Sequence, residues 1–323
     1  MTEQHLSNER ASLLADVAEM YYLEEKGQAE IARVVGVTRS MISRMLKEAR
    51  EKGIVEVRVN RPLRSEFELQ TSLTVRFDLV GAFVVPTPRA AESLTLDRLG
   101  EAAAHILSRN LKPGTVLGIS WGTSVSAAVD ALKINEPIPV KIVQLVGALG
   151  ARNTEYDGHA LVTRLAQKLG GETYYLNAPF LCPNPETAEA LLETPGVRET
   201  VELGRNAQVA LLGIGSTAPQ ISSYFLAGYV PIDELDELNQ DGAVGDVAGV
   251  HYDIHGKDVC ASFCDRVVAI AREDLRNIPL RLGIAGGLGK AETILGALRG
   301  GYINFLVTDS DTARHVLDLD AGQ

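Results

Sequence analysis

From Leu79 onward, apolar runs of strand length alternate with stretches of helical periodicity, and no other feature constrains the fold as much. The strand-like runs are 79–85, 115–120, 141–146, 172–176, 209–214, 280–285 and 303–308. The helical stretches are 97–110, 124–132, 155–169, 185–193, 197–206, 290–299 and 310–317. Strands that are apolar throughout are buried on both faces, and an intervening helix carries the chain back to begin a parallel neighbour. The expectation is an α/β domain over 79–323 with a parallel sheet, in which ligands gather at the carboxyl ends of the strands.

The preceding residues follow another rule. In 28–52, QAEIARVVGVTRSMISRMLKEAREK, the residues Ile31, Ala32 and Val35 share one helical stripe and Ile42, Met45, Leu46 and Ala49 another. Gly36 supplies a residue tolerant of positive φ at the bend, and Thr38 can cap the second helix with its hydroxyl. This is the pattern of a helix-turn-helix. Burial of the stripe leaves Arg39, Ser40, Ser43, Arg44 and Lys47 at the front of the second helix, beside Thr38. Such side chains suit base edges in a DNA major groove, while Lys47, Arg50 and Lys52 suit phosphates; an ordinary basic surface helix carries the same residue types. Leu14, Val17, Ala18 and Tyr21 predict a supporting helix over about 8–25. The run IVEVRV, 54–59, predicts the strand of a wing, completing a domain over 1–61. A helix over 62–78, with Phe67, Gln70, Leu73 and Phe77 on one face, either packs in an oligomer or docks on the large domain.

A net charge of −11 over 323 residues argues against a DNA-binding chain until the charge is resolved along it. Residues 28–61 hold eight bases against four acids, a local +4, and the acid lies elsewhere. Affinity for phosphates depends on the patch that meets them, and an acidic remainder limits indiscriminate binding. No run reaches the roughly 18 apolar residues that span a bilayer, and the polar start MTEQHLSNER is unlike a secretory signal, so a cytoplasmic location is expected. Cys182, Cys260 and Cys264 are spaced for neither a disulfide framework nor a zinc site and read as buried thiols. No motif calls for a metal or a cofactor.

Three strand-ending loops carry ligand-like chemistry. In ISWGTSVS, 119–126, Gly122 lets backbone approach a ligand, and Thr123, Ser124 and Ser126 bring hydroxyls to a helix start whose N–H groups attract anions; the same hydroxyls also serve as plain caps. GIGSTA, 213–218, has the G-x-G-x-x-A form of a dinucleotide fingerprint, with Asp233 and Glu234 about 20 residues on. Pro219 follows at once and no strand carries those acids, so a loop lining another ligand is the preferred reading. AGGLGK, 285–290, ends a strand and offers the Lys290 ammonium, suiting one phosphate or carboxylate; its glycine spacing is not that of a Walker loop, and a tight turn with a solvated Lys is the alternative. Between these lies the Gly-rich run AVGDVAGVHYDIHGKDV, where Asp246 can accept sugar hydroxyls or simply serve a turn.

Taken with the helix-turn-helix, the segments SWGTS, LLGIGS, GAVGDVAG, GIAGGLGKAETILGAL and GGYINFLVTDSDTA resemble the SorC/DeoR-type family of sugar-binding bacterial transcriptional regulators over nearly the whole chain. The resemblance implies a winged helix-turn-helix joined to an effector domain of the sugar-phosphate isomerase, deaminase and CoA-transferase fold. It also implies operator DNA and a phosphorylated sugar or polyol as partners, and a dimeric or tetrameric assembly. By motif it places Gly122, Thr123 and Ser124 at the phosphate-side loop, Lys290 at the lysine of the A-G-G-x-x-K segment, and Asp246 at an acid facing ligand hydroxyls. It further places Gly213, Gly215 and Ser216 in a glycine loop, with Gln144 a weaker candidate on the third strand. Ser124 departs from relatives that carry a second Thr there, although both supply a hydroxyl. The competing reading is an isomerase- or deaminase-like enzyme. It would need a general base, and Asp157, His159, Asp246, Asp253 and His255 show no acid–base constellation in the sequence.

Overall fold

A computed structural model describes residues 3–55, 65–87, 92–150, 154–226, 228–259 and 263–322. The chain forms two compact units, Met1–Pro62 and Leu63–Gln323.

The first unit holds α1 (Glu3–Tyr22), α2 (Gln28–Val35) and α3 (Arg39–Glu51). Its core is Leu14, Val17 and Ala18 of α1 with Ile31, Ala32, Ile42, Met45, Leu46 and Ala49. Tyr21 departs from the expected stripe: it is 36% exposed and meets Tyr22 edge to face, while the neighbouring Met20 packs against the core in its place. Gly36 ends α2 at φ 75°, and the Thr38 hydroxyl accepts from the Met41 N–H at 3.3 Å to start α3. Arg10 of α1 donates to Glu48 of α3 at 2.6 Å. Hydrogen bonds from Arg10 and Lys52 hold the Glu48 carboxyl down at about 2. The expected wing lies outside the described residues beyond Ile54 and Val55, which are not in a strand.

The second unit begins with α4 (Phe67–Arg76), followed by β1 (Gly81–Val85), α5 (Glu92–Asn110), β2 (Val116–Ile119) and α6 (Thr123–Ala131). Then come β3 (Lys141–Gln144), α7 (Gly158–Leu169), β4 (Glu172–Tyr174), α8 (Pro185–Leu192), α9 (Pro195–Arg205) and β5 (Val209–Ser216). The last part contains α10 (Ser223–Leu226), α11 (Ile232–Gln240), β6 (Gly245–Val247), β7 (Val250–Tyr252), α12 (Arg272–Asn277), β8 (Leu280–Ile284), α13 (Ala291–Arg299), β9 (Phe305–Asp309) and α14 (Ser310–Ala321). The main sheet runs β1-β9-β8-β5-β2-β3-β4, every pair parallel, as the alternating pattern requires. Its two faces bury separate apolar clusters: α5, α6 and α7 cover one, and α4, α9, α13 and α14 cover the other. Gly100 is required where α5 meets α6, since a Cβ there would come within 2.6 Å of the Ala127 carbonyl. Among the described residues no helix is long and apolar enough to cross a membrane.

Two features depart from the sequence reading. The glycine run 213–216 is strand rather than loop, because β6 pairs antiparallel with β5 across Ile214–Ser216 and extends it. The Gly-rich run after it is a hairpin of β6 and β7 turning at Ala248 and Gly249, both at positive φ, the geometry that tight two-residue hairpins favour.

A buried carboxylate joins three helices at the edge of this unit. Asp320 of α14 accepts from Arg76 of α4 and, at 3.0 and 2.7 Å, from Arg299 at the end of α13. Burial raises the Asp320 pKa, but the hydrogen bonds from Arg76 and Arg299 outweigh it and hold the carboxyl below its ordinary range. Its stabilisation is therefore complete above the ordinary aspartate pKa and fades as falling pH crosses the lower folded value. Asp320→Ala removes the charge partner of a mostly buried guanidinium, which keeps its bond to the Ile254 carbonyl, and is expected to cost about 3 kcal/mol in urea unfolding. Arg76, 59% exposed, is worth under about 1 kcal/mol by the same measurement.

Candidate functional site

The front of α3 presents Thr38, Arg39, Ser40, Ser43, Arg44 and Lys47, all exposed. Three of them already have local work. Thr38 caps the helix and exchanges a hydrogen bond with Ser40 at 3.0 Å, while Lys47 lies 3.6 Å from Glu51 one turn on. Arg39, Ser43 and Arg44 stand on the face opposite the buried stripe of Ile42, Met45, Leu46 and Ala49. A helix buried on one side and lined with hydrogen-bonding side chains on the other is the form that enters a major groove.

The second candidate lies where the strand order reverses. From β2 the chain proceeds through β3 and β4 to one side, then returns to place β5 on the other edge of β2 and continues through β8 and β9. The carboxyl ends of β2 and β5 thus border a crevice at a topological switch point, the place where open α/β sheets take ligands. On its β2 side, Gly122 caps α6 at φ 125°, ψ 167°, a backbone only glycine adopts readily, with exposed Thr123 and half-buried Ser124 in the first helical turn. Ser120 accepts the Gly213 N–H at 3.0 Å and so joins the two strand ends. Gln144 ends β3 in register with Ile119 of β2 and is buried.

On the β5 side, Gly215 is opposite Asp246 of β6, and a Cβ at Gly215 would lie 1.9 Å from Asp246 Oδ1. Glycine here makes room for a carboxylate. The other oxygen, Oδ2, accepts from the Tyr224 hydroxyl at 2.5 Å and the Gly249 N–H at 3.2 Å. Lys290 reaches the same strand from the 3₁₀ turn before α13, donating through Nζ to the Ile214 carbonyl at 3.0 Å. Burial lowers its pKa to about 8 while the nearby Asp246 charge resists, so the amine stays mainly an ammonium at neutral pH. Ser216 is buried and its hydroxyl accepts the Ala218 N–H, which turns it to its own loop.

Lys290, Asp246, Gly213, Gly215 and Ser216 therefore cluster around the end of β5, with Gly122, Thr123, Ser124 and Gln144 around the ends of β2 and β3. Sequence reasoning missed three supporting groups. Tyr224, which fixes Asp246, is stacked on Phe180 and meets Trp121 edge to face at 5.0 Å; no local pattern marks it. Asp309 accepts the Gly287 N–H at 2.8 Å and Thr312 N–H at 3.0 Å, tying the Gly-rich loop to the start of α14. Its place before Ser-Asp-Thr is a legible cap signal. His251 pairs with Asp246 across the hairpin; burial lowers its pKa, keeping the ring neutral at physiological pH. Asp233 and Glu234 open α11 rather than end a strand, which removes the dinucleotide reading of 213–218. Asp253 closes a turn by accepting the N–H groups of His255 and Lys257. Among the described residues no group of His, Cys, Asp and Glu is arranged to hold a metal ion.

A family model described as "Putative sugar-binding domain" matches residues 61–318. The Sorbitol operon regulator of Klebsiella pneumoniae is 33% identical over 307 residues, 94% of this chain and 97% of that protein. The chain belongs to the SorC/DeoR family of sugar-binding transcriptional regulators. The Escherichia coli (strain K12) Transcriptional regulator LsrR, another member, is 30% identical over 321 residues, 98% of this chain and 97% of LsrR. The crystal structure of full-length SorC from Klebsiella pneumoniae superposes with a TM-score of 0.71 at 32% identity, covering 95% of this chain and 99% of that one. These relatives are regulators of transcription and not enzymes, which decides between the two classes that the α/β fold alone permits.

The depressed amine of Lys290 has a thermodynamic consequence. Its folded pKa lies below the ordinary value of 10.5, so the unfolded chain binds the extra proton and the burial penalty is greatest below about pH 8. Stability should rise as pH increases from about 8 to 10.5, by up to about 3 kcal/mol. Lys290→Met should flatten that rise in melting curves taken across the range and raise the melting temperature at pH 7; an unaltered pH slope would mean that the amine is not buried as described.

Proposed function

We propose that this protein is a DNA-binding transcriptional regulator of carbohydrate catabolism whose operator affinity is set by a small phosphorylated sugar or polyol. The observation that carries the proposal is the placement of a half-buried ammonium, Lys290, and a buried carboxylate, Asp246, around one glycine-lined strand end. A cation beside free helix N–H groups suits a phosphate, and a fixed carboxylate oxygen suits hydroxyl donors. In this reading Thr123, Ser124 and Lys290 take the phosphate, Asp246 takes hydroxyls, and Gly122, Gly213, Gly215 and Ser216 let backbone approach the ligand. Gln144 completes the wall on the β3 side. The names of two relatives, a Sorbitol operon regulator and a Deoxyribonucleoside regulator, support a carbohydrate-type effector.

At the other end, Arg39, Ser40, Ser43 and Arg44 read bases and Lys47 meets a phosphate, with Thr38 holding the helix start. The winged helix-turn-helix of residues 1–61 acts in the cytoplasm as one of several copies. Phe67 and Val75, 75% and 77% exposed, lie two helical turns apart on α4 and offer a seam for a second subunit, so operator half-sites form an inverted repeat. The ligand changes occupancy only through unequal affinity for the operator-competent and incompetent forms; a coupling of about 1–3 kcal/mol gives a change of roughly 5- to 150-fold.

Two sets of variants separate the modules. On a DNA fragment selected from a random pool, Arg39→Ala and Arg44→Ala should each lose about 1–3 kcal/mol of binding while sugar-phosphate titrations stay unchanged. Thr123→Ala combined with Lys290→Ala should keep DNA binding and lose the response to sugar phosphate. Loss of both activities in either set would sink the division into modules.

A further inference from the structure

One apolar side chain stands in the open on α3. Of the large apolar residues of that helix, Ile42, Met45 and Leu46 are buried, whereas Met41 is 46% exposed. Met41 belongs neither to the core of its unit nor to the partly buried side chains, such as Val35 and Val37, that pack against it. Helix propensity does not call for it, since Lys, Gln, Glu and Arg favour a helix about as well. The other exposed large apolar residues of this unit lie elsewhere, on or just after α1 and at Val34 of α2.

Met41 lies in the first turn of α3, and the Thr38 hydroxyl holds its backbone N–H at 3.3 Å, so the helix cap fixes its place. A cleft opens here between α1 and α3, with Ser40, Met41, Arg44 and Met45 on the α3 side and Arg10 and Glu48 also lining it. Glu48 is engaged by Arg10 and Lys52, and Ser40 by Thr38. Arg44 makes no hydrogen bond or ion pair with the described residues. Residues three apart share a helix face, so an uncommitted guanidinium and an exposed thioether stand side by side.

In a major groove every base pair offers hydrogen-bonding atoms, but only thymine adds an apolar group, its 5-methyl. Arg is matched to guanine through O6 and N7. We propose that Met41 reads a thymine through its 5-methyl group, at the base step next to a guanine taken by Arg44. This rests on α3 being the helix that reads DNA, and it adds a base and a neighbour to that reading. Phosphates do not account for Met41, because it carries no charge and backbone contacts carry no sequence information. A second copy of the chain packed on this face is the competing occupant. Charge argues against it: Arg39, Arg44, Lys47, Arg50 and Lys52 lie along the helix against only Glu48 and Glu51, and two such faces repel each other while DNA attracts them. The unbranched thioether adapts to the methyl as the helix seats.

Duplexes that the full wild-type chain selects from a random pool supply the site. Each thymine is then replaced in turn by uracil, which removes the methyl and leaves every hydrogen-bonding atom in place. At one thymine, next to the guanine whose preference Arg44→Ala abolishes, uracil should weaken wild-type binding about fourfold, the worth of one buried methyl-sized group. That ratio should vanish in Met41→Gln, which keeps the length of the side chain and makes its end polar, and persist in Met41→Leu. A residue that only supports the helix would, on substitution, weaken the thymine and uracil duplexes alike and leave the ratio in place. No uracil-sensitive position, or a ratio unchanged in Met41→Gln, overturns the methyl contact while α3 remains the reading helix. A sensitive thymine away from that guanine, still dependent on Met41, keeps the contact and overturns its pairing with Arg44. A wild-type chain that enriches no sequence overturns the DNA-reading assignment and the contact with it. Melting curves confirm that each variant is folded, and Met41→Ala takes the place of Met41→Gln if that one is not.

Discussion

The parallel pairing of β2 with β5 is the contact on which the second unit depends. It joins the half of the sheet that runs outward through β3 and β4 to the half that runs through β8, β9 and β1. The chain leaves these two strands toward opposite sides of the sheet order, and the space between the carboxyl ends of such strands is where open α/β sheets bind ligands. Ser120 on β2 and Gly213 on β5 close the seam beneath with one hydrogen bond, and the ligand-type residues gather above it. The crevice is thus a product of strand order rather than of any one loop.

What surrounds that seam is built to tolerate charge in a confined place. Asp246 needs a glycine opposite it, a tyrosine hydroxyl and an N–H to be held there, and Tyr224 in turn needs Phe180 and Trp121 around its ring. Lys290 sits near enough to share the field of Asp246 and far enough in to lose part of its hydration. Confining both charges costs the folded chain stability, a cost that groups pre-organised for binding share.

The parallel strands were legible in the sequence because burial on both faces writes itself as an unbroken apolar run, and each of the seven expected runs overlaps a strand of the main sheet. The helix-turn-helix was legible because Gly36 and Thr38 mark its bend chemically and the stripe of Ile42, Met45, Leu46 and Ala49 marks its face. The β6–β7 hairpin was not: its strands are three residues each, too short for a period to show, and its turn uses an alanine at positive φ where the pattern calls for Asn or Gly. That hairpin extends β5, and so 213–216 read as a loop when it is strand. Helices α10, α11 and α12 were passed over because they are short or acidic and lie between segments with stronger periodicity. Within the site, Lys290 and Gly122 announced themselves by glycine context, whereas Tyr224 acquires its role only from neighbours distant in sequence.

Helix α13 starts at the residue after Lys290 and ends at Arg299, a span of about 13 Å at the rise of an α-helix. Its far end is bolted twice, to the Ile254 carbonyl and to Asp320, and Asp320 also grips α4, the helix that follows the first unit in the chain. A rod pinned at both ends has no slack. One rigid element of nine residues thus borders the candidate site at one end and the Asp320 junction with α4 at the other.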